Sequence, residues 1–258
     1  MAMNAQLHIE AVAARGVTSL KNSFCTQPFK VANITENRQE GFLDLVIMSS
    51  SPGILDGDVY YYKISVGENA LLRLQTQSYQ RLFTMKKGAS QHMEVRMEPG
   101  SSFHYIQHPV VPHQGADFST ANKIYLCAGC NLLWGEVFTC GRKLNGEIFR
   151  FSKYHSVTEI FSAGRLIIKE NVLMKPRSTD VSQLGLMEGF THQATLICLS
   201  EGLVVKEVIK TISDQLMTET SMEFGITAAP VNGFILRLLG YKAEQLFDCL
   251  KAIAKQLE

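Results

Sequence analysis

Apolar and polar residues alternate with a period of two along most of the first 200 residues of this chain. Between residues 59 and 66 the even positions are tyrosine, isoleucine or valine, and the odd positions include Lys63 and Ser65. The same period runs through residues 93–97 and 149–151. Because successive side chains of a strand point to opposite faces, each of these segments is predicted to be a half-buried strand.

Further β-rich runs are separated by short turn signals. The runs are residues 42–48, 70–77, 123–128, 132–139, 157–161, 165–169 and 194–199. The turn signals include Ser51-Pro52-Gly53, Gly67-Glu68-Asn69, Pro99-Gly100, Asn145-Gly146 and Ala163-Gly164. About a dozen short strands without intervening helices predict a mainly β fold, built as an antiparallel or coiled body.

Two segments in the C-terminal part have helical spacing instead. Apolar residues recur every three or four positions in residues 203–216 and again after Gly240, so two amphipathic α-helices are predicted. Residues 222–227 and 233–239 between them form a predicted hairpin. No linker or charge block divides the chain, and residues 1–258 are therefore expected to form a single domain. The apolar stripe of the last helix fits either the domain's own core or a partner surface.

Composition excludes several classes of function. The chain has 46% hydrophobic and 19% charged residues and a formal net charge of +1, which argues against disorder and against nucleic-acid binding. No apolar run reaches the roughly 18 to 20 residues of a transmembrane helix, and no secretory signal begins the chain. A cytoplasmic protein that does not enter membranes is expected.

Motifs of catalysis and of tight metal binding are missing from the sequence. It has no phosphate-binding GxxxxGK[ST] loop, no HExxH and no GxSxG. Cys127 and Cys130 form a single C-x-x-C without the further ligands that zinc requires, so a strand-turn-strand junction is the expected setting. His104, His108 and His113 cluster around two prolines, and a Pro-braced β connection is expected there.

Several motifs, taken in order, resemble one protein family over nearly the whole chain. They are SPGILDGD (51–58), LQTQSYQRLF (74–83), HPVVPHQGADF (108–118), GEVFTCGRKLNGEIFRF (135–151), NVLMKPRSTD (171–180) and RLLG (237–240). The chain is similar here to the urease accessory protein family called UreD, or UreH in Helicobacter. Glu170 stands before the fifth motif, where the family usually has Asp.

The resemblance implies both a fold and a function. The fold would be a single β-helix-like coil of many short strands with two C-terminal helices. The function would be that of a non-catalytic nickel metallochaperone scaffold with no tightly bound cofactor and only a transient nickel ion. Such a protein binds urease apoprotein and the partner UreF directly, and UreF recruits the GTPase UreG. A dimer of heterodimers with UreF is expected.

The resemblance also implies roles for particular residues. An internal path through the β body is thought to carry the ion, and Asp58, Glu136 and Glu147 are the candidate carboxylates to line it. Leu250, Ile253 and Leu257 on the last helix are the candidate UreF-facing residues. The structural residues of the family motifs are Gly57, Gln77, Pro112, Gly141, Arg142, Gly146 and Phe149. Among these, Arg142 and Gln77 are expected to satisfy buried polar groups.

Two other functions remain open at this point. A cupin-like all-β metalloenzyme would use His104, His108, His113 and a glutamate as metal ligands, although the usual pair of histidines one residue apart on a strand is absent. A β-rich interaction module with no metal role would need none of these residues.

Overall fold

Strands make up most of the structure, a computed structural model that describes residues 2–36 and 41–257. The N-terminal strands are β1 Asn4–Ala14, β2 Val17–Cys25, β3 Phe29–Asn33, β4 Phe42–Ser49, β5 Val59–Val66 and β6 Leu71–Thr76. The central strands are β7 Gln80–Leu82, β8 Ala89–Met97, β9 Ser102–Ile106, β10 Val110–Pro112, β11 Asp117–Leu126 and β12 Asn131–Thr139. The last strands are β13 Lys153–Ser162, β14 Arg165–Met174, β15 His192–Leu199, β16 Glu223–Ala228 and β17 Gly233–Gly240.

The helices are few and lie towards the C-terminus. Helix α1 spans Val205–Leu216 and helix α2 spans Ala243–Gln256. A short 3₁₀ turn at Lys143–Asn145 lies between β12 and β13. The predicted mainly β fold with two C-terminal helices is therefore confirmed. Within the described ranges, neither helix is long and apolar enough to cross a lipid bilayer.

The strands form two sheets that face each other. Over the residues described, one sheet has seven strands in the order β14-β13-β11-β8-β5-β1-β2. The other has ten, in the order β16-β17-β15-β12-β9-β6-β4-β3 with the short β7 and β10 paired beside β12. From β4 to β13 the long strands alternate between the sheets, and neighbours within each sheet run parallel. Each turn of the coil thus adds one strand to each sheet, and antiparallel pairs close the two ends.

Apolar side chains of like position stack from strand to strand between the sheets. On the seven-stranded sheet one such row consists of Ile9, Ile64, Val95, Ile124 and Ile160, all at most 2% exposed. The facing row on the ten-stranded sheet is Leu72, Phe103 and Leu132. Each fully buried side chain of this kind contributes roughly 1.5 to 3 kcal/mol, so these rows hold the coil together.

A second apolar cluster lies on the outer face of the ten-stranded sheet. Helix α2 packs there through Leu246, Leu250 and Ile253, against β12, β15 and β17. Helix α1 adds Ile212 and Leu216 to the same cluster. The outer face of this sheet is therefore buried at one end by the two helices.

Some local predictions fail for identifiable reasons. Residues 149–151 do not form a strand, because Phe149 has a left-handed backbone (φ 51°) within a tight connection. The prediction also missed β1, β2 and β3, although β1 alternates buried and exposed side chains clearly. The Cys127 to Cys130 segment does join β11 to β12 as predicted.

Candidate functional site

The carboxyl group of Glu136 on β12 accepts hydrogen bonds from four side chains between the sheets. Its Oε1 atom accepts one from Asn122 Nδ2 and one from Trp134 Nε1, both at 3.1 Å. Thr158 Oγ1 donates to the same oxygen at 3.3 Å, and Ser156 Oγ donates to Oε2 at 3.5 Å. Burial raises the pKa of Glu136, although the Trp134, Thr158 and Ser156 donors oppose the shift. Glu136 therefore holds its proton more tightly than an exposed glutamate does.

A second interior group beside Glu136 is the hydroxyl of Tyr105 on β9. The residue is 1% exposed, its ring packs on Trp134 with centroids 5.1 Å apart, and its Oη bonds to no described residue. Burial and the neighbouring Glu136 charge raise the pKa of Tyr105. Buried hydroxyl groups nearly always have a hydrogen-bond partner. The Tyr105 hydroxyl therefore keeps a free hydrogen-bonding capacity beside Glu136.

Three glutamine side chains extend this polar interior along the coil. Gln107 Nε2 donates to Gln80 Oε1 at 2.8 Å, and Gln80 Nε2 donates to Gln91 Oε1 at 2.9 Å. Gln91, which is 3% exposed, pairs in register with Tyr60 on β5 and with Thr120 on β11. Neutral amide groups thus connect the Glu136 region with the start of β5.

Asp58 lies at that other end and is completely buried. Its Oδ1 accepts the Met3 N–H at 2.8 Å, and its Oδ2 accepts the Leu55 N–H and the Tyr60 hydroxyl, both at 2.9 Å. The preceding Gly57 has a φ of +84°, a left-handed conformation that favours glycine. Asp58 therefore ties the N-terminus to the turn before β5, besides facing the interior.

These groups form three hydrogen-bonded clusters on neighbouring strands between the sheets, and we call them together the interior polar band. Its members are Asp58, Tyr60, Gln80, Gln91, Gln107, Asn122, Glu136, Ser156 and Thr158. Asp58 and Glu136 both belong to this band; that they line an ion path stays a prediction. Glu147 does not belong to it.

The band approaches solvent where both sheets end. Arg237 on β17 donates to Glu170 on β14 at 2.6 Å, and this ion pair joins the two sheets. In register, Glu136 neighbours Thr195, and Thr195 neighbours Arg237. A cavity of about 340 Å³ at this place is lined by Gly185, Leu186, Gln193, Glu223, Phe224, Gly225, Arg237 and Leu239.

Glu147 instead braces a surface loop. Its carboxylate is bound by the guanidinium of Arg142 and accepts the Gln114 N–H at 3.1 Å. These bonds hold the pKa of Glu147 below its usual range. A Cβ at Gly141, where φ is +120°, would lie 2.7 Å from the Pro112 carbonyl oxygen. The loop therefore needs glycine at this position.

The remaining motif residues are placed around the same loop or on the surface. Gly146 ends the 3₁₀ turn with a φ of 77°, and Phe149 follows with a φ of 51°. Arg142 is 43% exposed at its side chain, and its partner Glu147 is 13% exposed. Gln77, expected to satisfy a buried polar group, is itself exposed.

The candidate partner residues on α2 point inwards. Leu250 is 0% and Ile253 is 3% exposed, and both belong to the apolar cluster beneath the helix. Leu257 follows the helix and is partly buried against the same cluster. Leu250 and Ile253 therefore offer no free surface to a partner in this conformation. Contact of this helix with UreF stays a prediction.

The histidines do not assemble a metal site. His108 Nδ1 lies 3.0 Å from Thr76 Oγ1, and His113 packs against Phe83. His104 lies elsewhere, on the outer face of β9. Across residues 2–36 and 41–257, no three or more His, Cys, Asp or Glu side chains are placed to hold a metal ion. Among the described residues, the histidine ligands of the cupin-like alternative do not converge.

Sequence reasoning missed most of the polar band, although one signal was present. Gln91 has the same parity as the apolar Met93, Val95 and Met97 of β8, and all four are buried. A polar residue at an inward-facing position of a strand is unusual and marks a polar interior. The pairing of Glu170 with Arg237 could not be predicted in this way, because the two residues are 67 positions apart in the chain.

Comparison with known proteins gives consistent matches over the whole length. A family profile described as UreD urease accessory protein matches residues 3–258. A urease accessory protein UreD of Flavobacterium johnsoniae is 44% identical over 253 residues, covering 98% of this chain and 91% of the relative. The UreD of Acetivibrio thermocellus is 33% identical, covering 96% and 95%. That of Actinobacillus pleuropneumoniae serotype 3 is 28% identical, covering 96% and 94%.

Proposed function

This chain belongs to the UreD family of urease accessory proteins, and on that basis we propose that it is a non-catalytic scaffold for nickel insertion into urease. The observation that supports the proposal most is the interior polar band, whose polar groups lie between the sheets from Asp58 to Glu136. An ordinary β-coil would fill these inward-facing positions with apolar side chains, because an unpaired buried polar group is destabilising. A polar interior fits a protein that conducts an ion.

The proposal includes a set of partners. The chain binds urease structural subunits and UreF directly, and UreF recruits the GTPase UreG. The assembly is a dimer of two heterodimers with UreF, and it works in the cytoplasm. Nickel is its cargo and not a resident cofactor.

The chemistry of the band suits a cation in transit. Carboxyl, amide and hydroxyl oxygens are weaker and more exchangeable ligands for a divalent transition metal than thiolates or imidazoles are. Glu136 provides a full negative charge only after it releases its proton, and the approach of a dication favours that release. A dication at Glu136 is therefore held by exchangeable oxygen ligands and is passed on without being trapped.

The test is the nickel content of urease in the source organism with and without this gene. We expect urease protein to accumulate without the gene but to hold little nickel and show little activity, and we expect the wild-type gene to restore both. Urease that is fully loaded with nickel in the absence of the gene would refute the proposed function.

A further inference from the structure

The two sheets of the coil end on the same side without pairing with each other. Strand β14 is the last strand of the seven-stranded sheet, and β16 is the last strand of the ten-stranded sheet. The ion pair of Arg237 and Glu170 joins the two sheets on this side, and Arg237 also lines a cavity with residues of β15, β16 and the segment that follows β14. We call this side, marked by the Arg237–Glu170 pair, the seam.

The seam is one or two strands away from the centre of the interior polar band. Glu170 pairs in register with Thr158, whose hydroxyl donates to Glu136. Arg237 is separated from Glu136 by one strand, β15. With strands about 4.8 Å apart, Arg237 and Glu136 are roughly 10 Å apart through a poorly screened interior. Burial is the main cause of the raised pKa of Glu136, and the charge of Glu170 adds to it.

We propose that Arg237 and Glu170 form a latch that controls the passage of a divalent cation between solvent and the interior polar band. This inference rests on the proposed function, in which nickel travels along the band. In the closed state the guanidinium group of Arg237 pairs with the Glu170 carboxylate and repels a dication. In the open state Arg237, whose side chain is 46% exposed, turns towards solvent and leaves the Glu170 carboxylate to receive the cation.

The two halves of the latch have opposite effects on a cation. Removal of the Arg237 charge leaves an attractive carboxylate at the seam, whereas removal of the Glu170 charge leaves an unpaired guanidinium. For a dication about 6 Å from a unit charge in a water-like dielectric, Coulomb's law gives about a tenfold change in rate. A purely structural ion pair would behave differently, because loss of either partner would perturb the fold in the same direction.

The chain contains an internal reporter of cation arrival. Trp134 is the single tryptophan of the sequence, is 2% exposed, and donates from Nε1 to Glu136. The experiment records the rate at which added Ni²⁺ quenches Trp134 fluorescence in the full-length protein. Arg237→Met should accelerate quenching about tenfold and Glu170→Gln should slow it about tenfold. Arg237→Lys, which keeps the charge, should stay close to the wild type.

A matched control is available on β14 and its neighbour β13. Lys169 and Glu159 form a 2.8 Å ion pair on the outer face of the seven-stranded sheet. Lys169→Met and Glu159→Gln should leave the quenching rate unchanged. Circular dichroism and the thermal midpoint establish that each variant is folded, and Glu170→Gln, with its expected slower quenching, carries the test if Arg237→Met is not.

The outcomes separate the latch from the function on which it rests. The latch alone would be overturned if Ni²⁺ quenched Trp134 at equal rates in wild type, Arg237→Met and Glu170→Gln. It would also be overturned if both variants shifted the quenching rate in the same direction. The same holds if Arg237→Lys behaves like a charge-free variant. If Ni²⁺ quenches Trp134 in no variant, the passage itself is refuted and the latch with it.

Discussion

Replacement of Asp58 by alanine should cost this protein much of its stability. The carboxylate is completely buried and accepts three hydrogen bonds, two of them from the backbone N–H groups of Met3 and Leu55. Alanine would leave both N–H groups and the Tyr60 hydroxyl without their acceptor. A buried donor that loses its acceptor costs about 1 to 3 kcal/mol, so the loss for the three donors should total about 3 to 9 kcal/mol. Since domains are stable by only about 5 to 15 kcal/mol, this change is large.

Urea unfolding of the full-length chain, followed by circular dichroism, measures this loss. Asp56 is a suitable control because its carboxylate also accepts three backbone N–H groups, those of Lys86, Lys87 and Gly88, but at a solvent-exposed site. After mutation water can replace the Asp56 carboxylate as the acceptor of these N–H groups, so Asp56→Ala should lower the unfolding free energy much less than Asp58→Ala does. If Asp58→Ala were as stable as the wild type, the anchoring role given to Asp58 would be refuted. Any nickel defect of Asp58→Ala must therefore be expressed per folded molecule.

Three further changes probe other parts of the molecule. Leu250→Ala removes a fully buried side chain of α2 and should lower the unfolding free energy by about 2 to 5 kcal/mol in urea titrations of the chain alone; an unchanged value would contradict its place in the core. Gly141→Ala should yield a destabilised or aggregated chain in solubility and thermal-melt assays, because its Cβ would meet two carbonyl oxygens below 3.0 Å, and a normal melt would exclude that clash. Burial lowers the pKa of His192 from 6.5 to about 4, so the unfolded chain takes up a proton at a higher pH than the folded chain does. The free energy of unfolding should therefore fall as the pH drops from 6.5 towards 4. His192→Gln should flatten this part of the plot of unfolding free energy against pH.

The local pattern was enough to predict most elements of this fold but not their arrangement. The alternation in β5 predicts a strand because one face is buried, and this follows from neighbours in sequence. Parallel pairing of β5 with β8 depends on contacts about 30 residues apart, which no local period encodes. The strand predicted at residues 149–151 was wrong for a related reason. This alternating segment follows the tight connection that the Arg142–Glu147 pair braces, and it is not part of a strand.

The candidate site was predictable only in part. The resemblance named Asp58 and Glu136, and both lie on the interior polar band. It also named Glu147, whose carboxylate is occupied at the surface by Arg142. The spacing of the apolar residues on α2 did not predict what they pack against, since the same spacing is found in helices that face a core and in helices that face a partner. Leu250 and its neighbours face the core because β12, β15 and β17 present an uncovered apolar face to the helix.

The most direct test of the account is the nickel content of urease matured with a Glu136→Gln variant of this chain. Glutamine keeps the size of Glu136 and can still accept a hydrogen bond from Trp134, but it cannot release a proton to take up a dication. Glu159→Gln, on the outer face of the same molecule, is the matched control. We expect urease to bind both variants equally and to receive several-fold less nickel only with Glu136→Gln. Equal nickel loading by the two variants would contradict the claim that the interior polar band carries the ion.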